Sequence, residues 1–130
     1  MTKSEQMAKV GTKNTAPEVA FRRELSARGI RYRLHRRDLP GKPDVYVGRL
    51  RLAIFVNGCF WHGHGCSRGR LPSTNGEFWR EKIARNRRRD EDVARALKER
   101  EVEAICVWPC DRSQWPAVAD DLARRYEEAR

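Results

Sequence analysis

The sequence lacks three things: a long apolar run, an apolar N-terminus and a high density of cysteine. No apolar run approaches the ~20 residues that a membrane helix needs, and the N-terminal MTKSEQMAKV is polar. We therefore expect neither a membrane span nor a signal peptide. Four cysteines in 130 residues are too few for a secreted miniprotein held together by disulfides. These absences predict a cytoplasmic protein without a membrane partner.

The charge balance is strongly basic. Lys and Arg number 28 against 18 Asp and Glu, which gives a net charge of +10. The excess is +7 over residues 1–50 and +6 over 51–100, whereas residues 101–130 carry −3. Most of the basic residues are Arg, whose planar guanidinium binds phosphate through paired hydrogen bonds. This pattern favours nucleic acid as the partner over a merely soluble basic surface.

Apolar periodicity predicts the element order α-β-β-β-α-β-α. The motif Thr15-Ala-Pro-Glu18 is typical of a helix start, and Gly29 of a helix end. The run Leu52–Val56 is apolar throughout, which is typical of a central strand buried on both faces. The predicted fold class is α/β, with a small central mixed sheet flanked by helices. We expect one domain over residues 15–130, preceded by a flexible basic arm over 1–14.

Further local patterns complete this prediction. Alternating apolar and basic residues predict a strand over Ile30–Leu34, and a helical stripe predicts a long helix over Glu77–Glu99. Cys106 lies within another apolar strand and is expected in the core. Ser113 is expected to cap the last helix.

One segment without predicted secondary structure is rich in Gly, Cys and His. It contains Cys59, His64 and Cys66 within eight residues, and Cys110 directly follows a predicted strand. A structural zinc site needs four such ligands, so these four residues are the predicted Zn²⁺ site. The alternative is that the cysteines are free thiols in a Gly-rich loop, with His62 rather than His64 as a ligand.

Two carboxylates are candidates for a second metal site. Asp44 opens a predicted strand after a Lys-Pro dipeptide and could bind a hard cation, or it could simply cap a turn. Glu18 could close a capping box, but it shares a helix face with Phe21 and Leu25. It should therefore point toward the sheet, where it could meet Asp44 over a metal ion.

The same Gly-rich segment carries His62 and two aromatic residues. A neutral imidazole could take a proton from an attacking water, or it could be a loop or zinc-neighbouring histidine. Phe60 and Trp61 could enter the base stack of duplex DNA, or they could cover the zinc site. Trp79 has helical spacing to Ile83 and is expected in the core, near this segment.

The sequence resembles the very short patch repair (Vsr) endonucleases of bacteria. The matching stretches follow one another from about residue 7 to residue 110. They are Lys13-Asn-Thr-Ala-Pro-Glu18, Tyr32-Arg-Leu-His35, Asp38-Leu-Pro-Gly-Lys-Pro-Asp44, Phe55 to His62, His64 with Cys66, Pro72 to Asn75, Glu77-Phe-Trp79, Lys82-Ile83, Asn86, Arg89-Asp90, and Val107-Trp108 with Cys110.

The resemblance implies a zinc-containing, restriction-endonuclease-like fold and a DNA-nicking activity. Such enzymes nick 5′ to the thymine of a T·G mismatch, which arises when 5-methylcytosine deaminates. The implied partner is double-stranded DNA carrying that mismatch, with repair proteins as further partners and a monomeric enzyme acting at the nucleoid.

The resemblance also implies roles for individual residues. Asp44 would bind Mg²⁺ beside the main-chain carbonyl of Val56, and Glu18 would bind metal-held waters. His62 would be the general base. The structural zinc would be held by Cys59, His64, Cys66 and Cys110.

The implied DNA contacts fall into two groups. Phe60 and Trp61, with Trp79, would wedge beside the mismatched pair, while Met7 would enter from the opposite groove. The remaining contacts are polar or basic side chains: Lys13, Lys42, Lys82, Asn86 and Arg89.

Asn57 departs from the family pattern, because the best-known members have a second histidine there. An amide can hydrogen-bond a phosphate oxygen or a water but cannot carry charge. This departure keeps open a related nuclease with another DNA target, such as a defence or restriction-associated nickase. A separate alternative is a non-catalytic zinc module that binds DNA.

Overall fold

The computed structural model describes residues 15–57 and 75–129. Its elements follow the predicted α-β-β-β-α-β-α order, with two short 3₁₀ helices added. They are α1 (Ala16–Ala27), β1 (Arg33–Leu34), β2 (Val45–Val47), a 3₁₀ helix (Gly48–Leu50), β3 (Leu52–Val56), α2 (Gly76–Glu99), β4 (Glu103–Val107), a 3₁₀ helix (Pro109–Gln114) and α3 (Trp115–Glu128). Among the described helices, none is both long and apolar enough to cross a membrane.

The four strands form one mixed sheet in the order β1-β2-β3-β4. The first three strands are antiparallel, with Val45 opposite Ile54, whereas β3 and β4 run parallel, with Val56 opposite Val107. A parallel pair needs a crossover, and the long helix α2 lies in that crossover. Because β3 and β4 are parallel, their carboxyl ends meet at the same edge of the sheet.

Helix α1 begins as its sequence predicts. Thr15 is the N-cap, and its hydroxyl accepts the Glu18 N–H at 3.4 Å. The helix ends before Gly29, whose φ of 75° lies in the left-handed region that glycine tolerates. The Ile30 N–H then reaches back to the Leu25 carbonyl at 3.1 Å.

Strand β3 is buried on both faces, as predicted, because helices cover both sides of the sheet. On one face, Leu52 and Ile54 pack against α1 and α3. On the other, Ala53 packs with Leu97 of α2. Phe21 of α1 meets Trp115 of α3 edge to face, with ring centroids 5.4 Å apart. The core is therefore an α/β/α sandwich around the short sheet.

The structure corrects two predicted elements. The strand predicted over Ile30–Leu34 contains only Arg33–Leu34, because the buried Ile30 belongs to the hydrogen-bonded cap of α1. Ser113 does not cap the last helix: it lies in the 3₁₀ helix that leads directly into α3, where Gln114 makes no side-chain cap bond. A segment that is already helical needs no separate N-cap there.

Cys106 was expected in the core, and this is wrong. It is exposed, because β4 is the last strand of the described sheet and has a neighbouring strand on one side only. The long helix, by contrast, begins within one residue of its predicted start and buries Trp79, Ile83 and Leu97, as its apolar stripe predicts.

Candidate metal centre

Asp44 lies where the chain enters β2 from a compact loop. The turn is closed by the Lys42 N–H, which donates to the Leu39 carbonyl at 3.1 Å, and Pro43 is fully buried. One carboxylate oxygen of Asp44, Oδ2, accepts the main-chain N–H of Val56 at 2.8 Å. Asp44 therefore bonds across the sheet to β3 rather than only to its own turn.

Gly41 lets this loop pack closely against the sandwich. Its φ is 76°, and a Cβ atom placed there would lie 2.4 Å from a methyl of Val93 and 3.3 Å from the ring of Phe55. Both the conformation and the close contact require glycine. The packing of this loop on α2 thus fixes the path of the chain that leads into Asp44.

Glu18 points toward the sheet, as its helical face predicts, and its side chain is 2% exposed. Its Oε1 accepts a hydrogen bond from the Arg22 guanidinium at 3.3 Å and lies 2.6 Å from the His35 imidazole Nε2. The alternative capping box contributes the bond from the Glu18 N–H to the Thr15 hydroxyl. The Glu18 carboxylate is therefore held by two nitrogen-bearing side chains.

His35 is the site residue that our residue-by-residue reasoning missed. It directly follows β1, with a left-handed φ of 51°, and its main-chain N–H donates to the Asp44 carbonyl at 3.2 Å. Two signals could have found it. It ends one of the stretches that carry the family resemblance, and the pairing of two adjacent antiparallel strands places it opposite Asp44.

The donor atoms of Glu18, His35 and Asp44 all lie within 4.8 Å of one another. Ligands around a divalent cation are separated by at most about twice the metal–ligand bond of 2.0–2.6 Å, so one ion fits this group. Two carboxylates and an imidazole are also donors that such ions accept. The structure thus brings together the predicted carboxylate pair, the main chain of Val56, and one histidine that was not predicted.

Asn57 directly follows β3 and is directed toward β4. Its main-chain N–H donates to the Val107 carbonyl at 3.0 Å, and its side-chain amide donates to the Cys106 sulfur at 3.3 Å. The residue is 8% exposed. Its amide is therefore engaged with the neighbouring strand.

Of the four predicted zinc ligands, only Cys110 lies within the described residues. This residue is half-buried in the 3₁₀ helix after β4, at the edge where β3 also ends. Several predicted residues lie outside the described ranges: Met7, Lys13, Cys59, Phe60, Trp61, His62, His64 and Cys66.

The aromatic residues at the start of α2 are split between core and surface. Trp79 is 4% exposed, which matches the expectation that it lies in the core. Its neighbour Phe78 is 51% exposed, and the two rings meet edge to face at 5.1 Å. The Lys82 ammonium lies 5.9 Å from both rings. Phe78 is thus an exposed aromatic side chain that the sequence reasoning did not single out.

The other predicted DNA contacts lie on two elements. Lys42 is exposed in the loop before Asp44. Lys82 and Asn86 are half-buried on α2, where the spacing of four puts them on one face, and Arg89 is exposed one turn further on.

Comparison with known proteins gives consistent matches. The family model described as DNA mismatch endonuclease Vsr matches residues 1–68. The type II nicking enzyme V.XorIIP of Xanthomonas oryzae pv. oryzae is 46% identical over 112 residues, covering 86% of this chain and 82% of that protein. The DNA mismatch endonuclease Vsr of Escherichia coli K12 is 37% identical over 128 residues, covering 98% of this chain and 82% of that protein. The type II nicking enzyme V.NmeAIP of Neisseria meningitidis serogroup A is 36% identical over 122 residues, covering 94% and 87%.

Proposed function

Because the chain belongs to the DNA mismatch endonuclease Vsr family, we propose that it nicks double-stranded DNA 5′ to the thymine of a T·G mismatch. Membership makes the protein a DNA endonuclease, which hydrolyses a phosphodiester bond. The observation that best supports a working site is the grouping of Glu18, His35 and Asp44. The nick would start very short patch repair of deaminated 5-methylcytosine.

The proposed catalytic ion is Mg²⁺, held by Asp44 and the main-chain carbonyl of Val56. Glu18 would orient waters at this ion. Bound there, the ion would polarise the scissile phosphate and offset the charge that develops on it. The hydrogen bond from the Val56 N–H to Oδ2 sets the orientation of the Asp44 carboxylate, and the buried Glu18 is fixed by its two nitrogen donors.

His62 is proposed as the general base that takes the proton of the attacking water. The products would carry 5′-phosphate and 3′-hydroxyl ends. Asn57 would hydrogen-bond a phosphate oxygen or a water near the scissile bond. Because its side-chain amide donates to the Cys106 sulfur, it would make this bond in addition to that contact or in place of it.

We propose that the sandwich is a restriction-endonuclease-like fold stabilised by a structural Zn²⁺. The ligands would be Cys59, His64, Cys66 and Cys110. Parallel strands β3 and β4 end at one edge, so the segment that leaves β3 and the segment after β4 that carries Cys110 start from neighbouring positions. Zinc there would join the two chain segments.

The basic surface would hold the DNA through its phosphates. Phe60 and Trp61 would wedge beside the mismatch, which costs less at a weakly stacked T·G pair. Trp79 would support that wedge from its buried position, and Met7 would enter from the other groove. The proposed polar and phosphate contacts are Lys13, Lys42, Lys82, Asn86 and Arg89. We further propose a monomer that acts in the bacterial cytoplasm with other repair proteins.

The decisive experiment is a nicking assay on a T·G duplex and its T·A control, with Mg²⁺ added or removed by chelation. We expect metal-dependent nicking of the thymine strand only in the mismatched duplex. Equal cleavage of both duplexes would reject mismatch specificity. Activity that persists in chelator would reject the metal-dependent chemistry.

A second candidate is a Vsr-like nickase with a different DNA target, associated with defence or restriction. Two points favour considering it: Asn57 stands where the family resemblance implies a second histidine, and the matched relatives from Xanthomonas and Neisseria described above are named type II nicking enzymes. Cleavage mapping on mismatched, methylated and unmodified duplexes separates the two. A non-catalytic zinc module is set aside, because the chain belongs to an endonuclease family.

A further inference from the structure

His35 contacts both acidic residues of the candidate metal centre. Its main-chain N–H donates to the Asp44 carbonyl at 3.2 Å, and its imidazole Nε2 lies 2.6 Å from Oε1 of Glu18. Glu18 is on α1 and Asp44 precedes β2, so these two contacts join separate layers of the sandwich.

The backbone of His35 is in an uncommon conformation. A φ of 51° is left-handed, and residues other than glycine adopt it only when surrounding contacts stabilise it. Here the conformation ends β1 and leaves the imidazole against the buried carboxylate on α1. Such local strain beside a candidate site is a reason to look for a role in that site.

The contacts of Glu18 indicate which role this is. Oε1 of Glu18 faces two nitrogen donors, the Arg22 guanidinium at 3.3 Å and the His35 imidazole at 2.6 Å. A carboxylate oxygen with both lone pairs engaged by N–H groups is a poor direct ligand for a cation. An imidazole whose Nε2 donates its proton to that oxygen is likewise not a metal ligand through Nε2.

We infer that His35 is a positioning residue, which sets the orientation of the Glu18 carboxylate relative to Asp44 without itself binding the metal ion. This inference rests on the proposed metal-dependent function. Partners that hydrogen-bond to metal-site carboxylates orient them, and their removal typically lowers metal affinity or activity about 10- to 100-fold.

The test separates the side chain of His35 from its backbone. His35→Gly removes the imidazole while tolerating the φ of 51°. His35→Asn also tolerates this φ but is too short to reach Glu18 as imidazole does. His35→Gln keeps an N–H donor of similar reach. Thermal melting verifies that each variant is folded. If only one of His35→Gly and His35→Asn, the two variants with a shortened side chain, is folded, that variant suffices for the comparison.

Metal binding is read directly by titrating the zinc-loaded proteins with Mn²⁺ and measuring the unbound ion by electron paramagnetic resonance. The Mg²⁺ concentration for half-maximal nicking is measured in parallel. We expect the shortened variants to bind Mn²⁺ about 10- to 100-fold more weakly, and His35→Gln to stay within about threefold of wild type because it restores the donor.

Three results would overturn the inference. One is Mn²⁺ affinity in folded His35→Gly equal to wild type. Another is an equal loss in His35→Gln and His35→Gly. The third is a ¹⁴N coupling in the spectrum of bound Mn²⁺ that disappears in His35→Gln, which would make His35 a direct ligand. If the wild-type protein itself neither binds Mn²⁺ nor needs metal to nick, the proposed function fails instead.

Discussion

The main-chain N–H of Val56 donates to Oδ2 of Asp44 at 2.8 Å, so the end of β3 fixes the carboxylate that precedes β2. The antiparallel register, with Val45 opposite Ile54, creates this contact. A carboxylate already oriented by the sheet loses less conformational freedom when it binds an ion. This relationship explains how three short strands can orient a carboxylate of the candidate metal centre at their edge.

We first predict that Asp44→Asn abolishes nicking while the fold is kept. The amide oxygen can still accept the Val56 N–H, but the charge is lost. We expect the rate to fall more than about 100-fold, because even indirect changes at metal sites cost 10- to 100-fold. Nicking rates and thermal melting of both proteins are the measurements. A variant that melts normally and still nicks at the wild-type rate would remove Asp44 from the site.

We next predict that Glu18→Gln impairs metal-dependent nicking at least about 10-fold. Glu24→Gln is the matched control, because Glu24 lies on the same helix and also pairs with an Arg four residues on, Arg28, at 3.3 Å. Neither residue of that partly exposed pair belongs to the candidate metal centre, so its loss should change nicking less than about twofold. Equal effects of the two substitutions would indicate a general effect on α1.

Gly41→Ala should destabilise the protein by about 1–3 kcal/mol, the usual cost of overpacking. The added methyl would meet Val93 at 2.4 Å, and the positive φ disfavours any side chain. Gly29→Ala is the control, because a Cβ there meets nothing within 4 Å although its φ is also positive. Urea unfolding gives the loss of unfolding free energy in each variant: Gly29→Ala measures the cost of the positive φ, and Gly41→Ala measures that cost together with the contact with Val93. A loss no larger in Gly41→Ala than in Gly29→Ala would show that Val93 yields to the methyl.

Most of the fold was predictable because its signals are local. Thr15, Pro17 and Gly29 mark the ends of α1, and the apolar run Leu52–Val56 marks the central strand. The exposure of Cys106 was not, because whether a strand lies at the margin of a sheet depends on pairing between distant segments. Ser113 does not cap the last helix for a different, local reason, since it lies in a 3₁₀ helix that leads directly into α3.

In the candidate site, the proximity of the two carboxylates was predictable from the sequence, whereas the presence of His35 beside them was not. Glu18 was found from its helical face, and Asp44 from its place at a strand start. His35 depends on a left-handed backbone and on a contact with a helix seventeen residues earlier in the sequence. Neither periodicity nor spacing reports such a contact. The side-chain partner of Asn57, Cys106, is equally non-local.

Arg89→Ala should weaken DNA binding and reduce its salt dependence, because each phosphate contact releases about one counterion from B-DNA. We expect the slope of log affinity against log salt to fall by about 0.9. Arg124→Ala is the control, since Arg124 is similarly exposed but pairs with Asp121 on α3, in the acidic part of the chain. Fluorescence anisotropy over a range of salt gives both slopes. An unchanged slope for Arg89→Ala would place DNA away from this part of α2.

The loop that leads to Asp44 should be stabilised by the ion pair between Arg36 and Asp38, and this stabilisation should be lost only at acidic pH. Arg36 forms two hydrogen bonds with Asp38, at 2.7 and 2.5 Å, and these lower the pKa of the Asp38 carboxyl from 3.8 to about 2. A carboxyl with a lower pKa in the folded state stabilises it above pH 3.8, and the effect is lost as the pH falls toward about 2. Carbon-13 NMR of the Asp38 carboxyl should therefore give a midpoint near pH 2 in wild type and a higher one, toward 3.8, in Arg36→Gln. The difference in unfolding free energy between the two proteins should shrink over the same interval. An Asp38 midpoint that does not move on removing Arg36 would show that the pair does not form in solution.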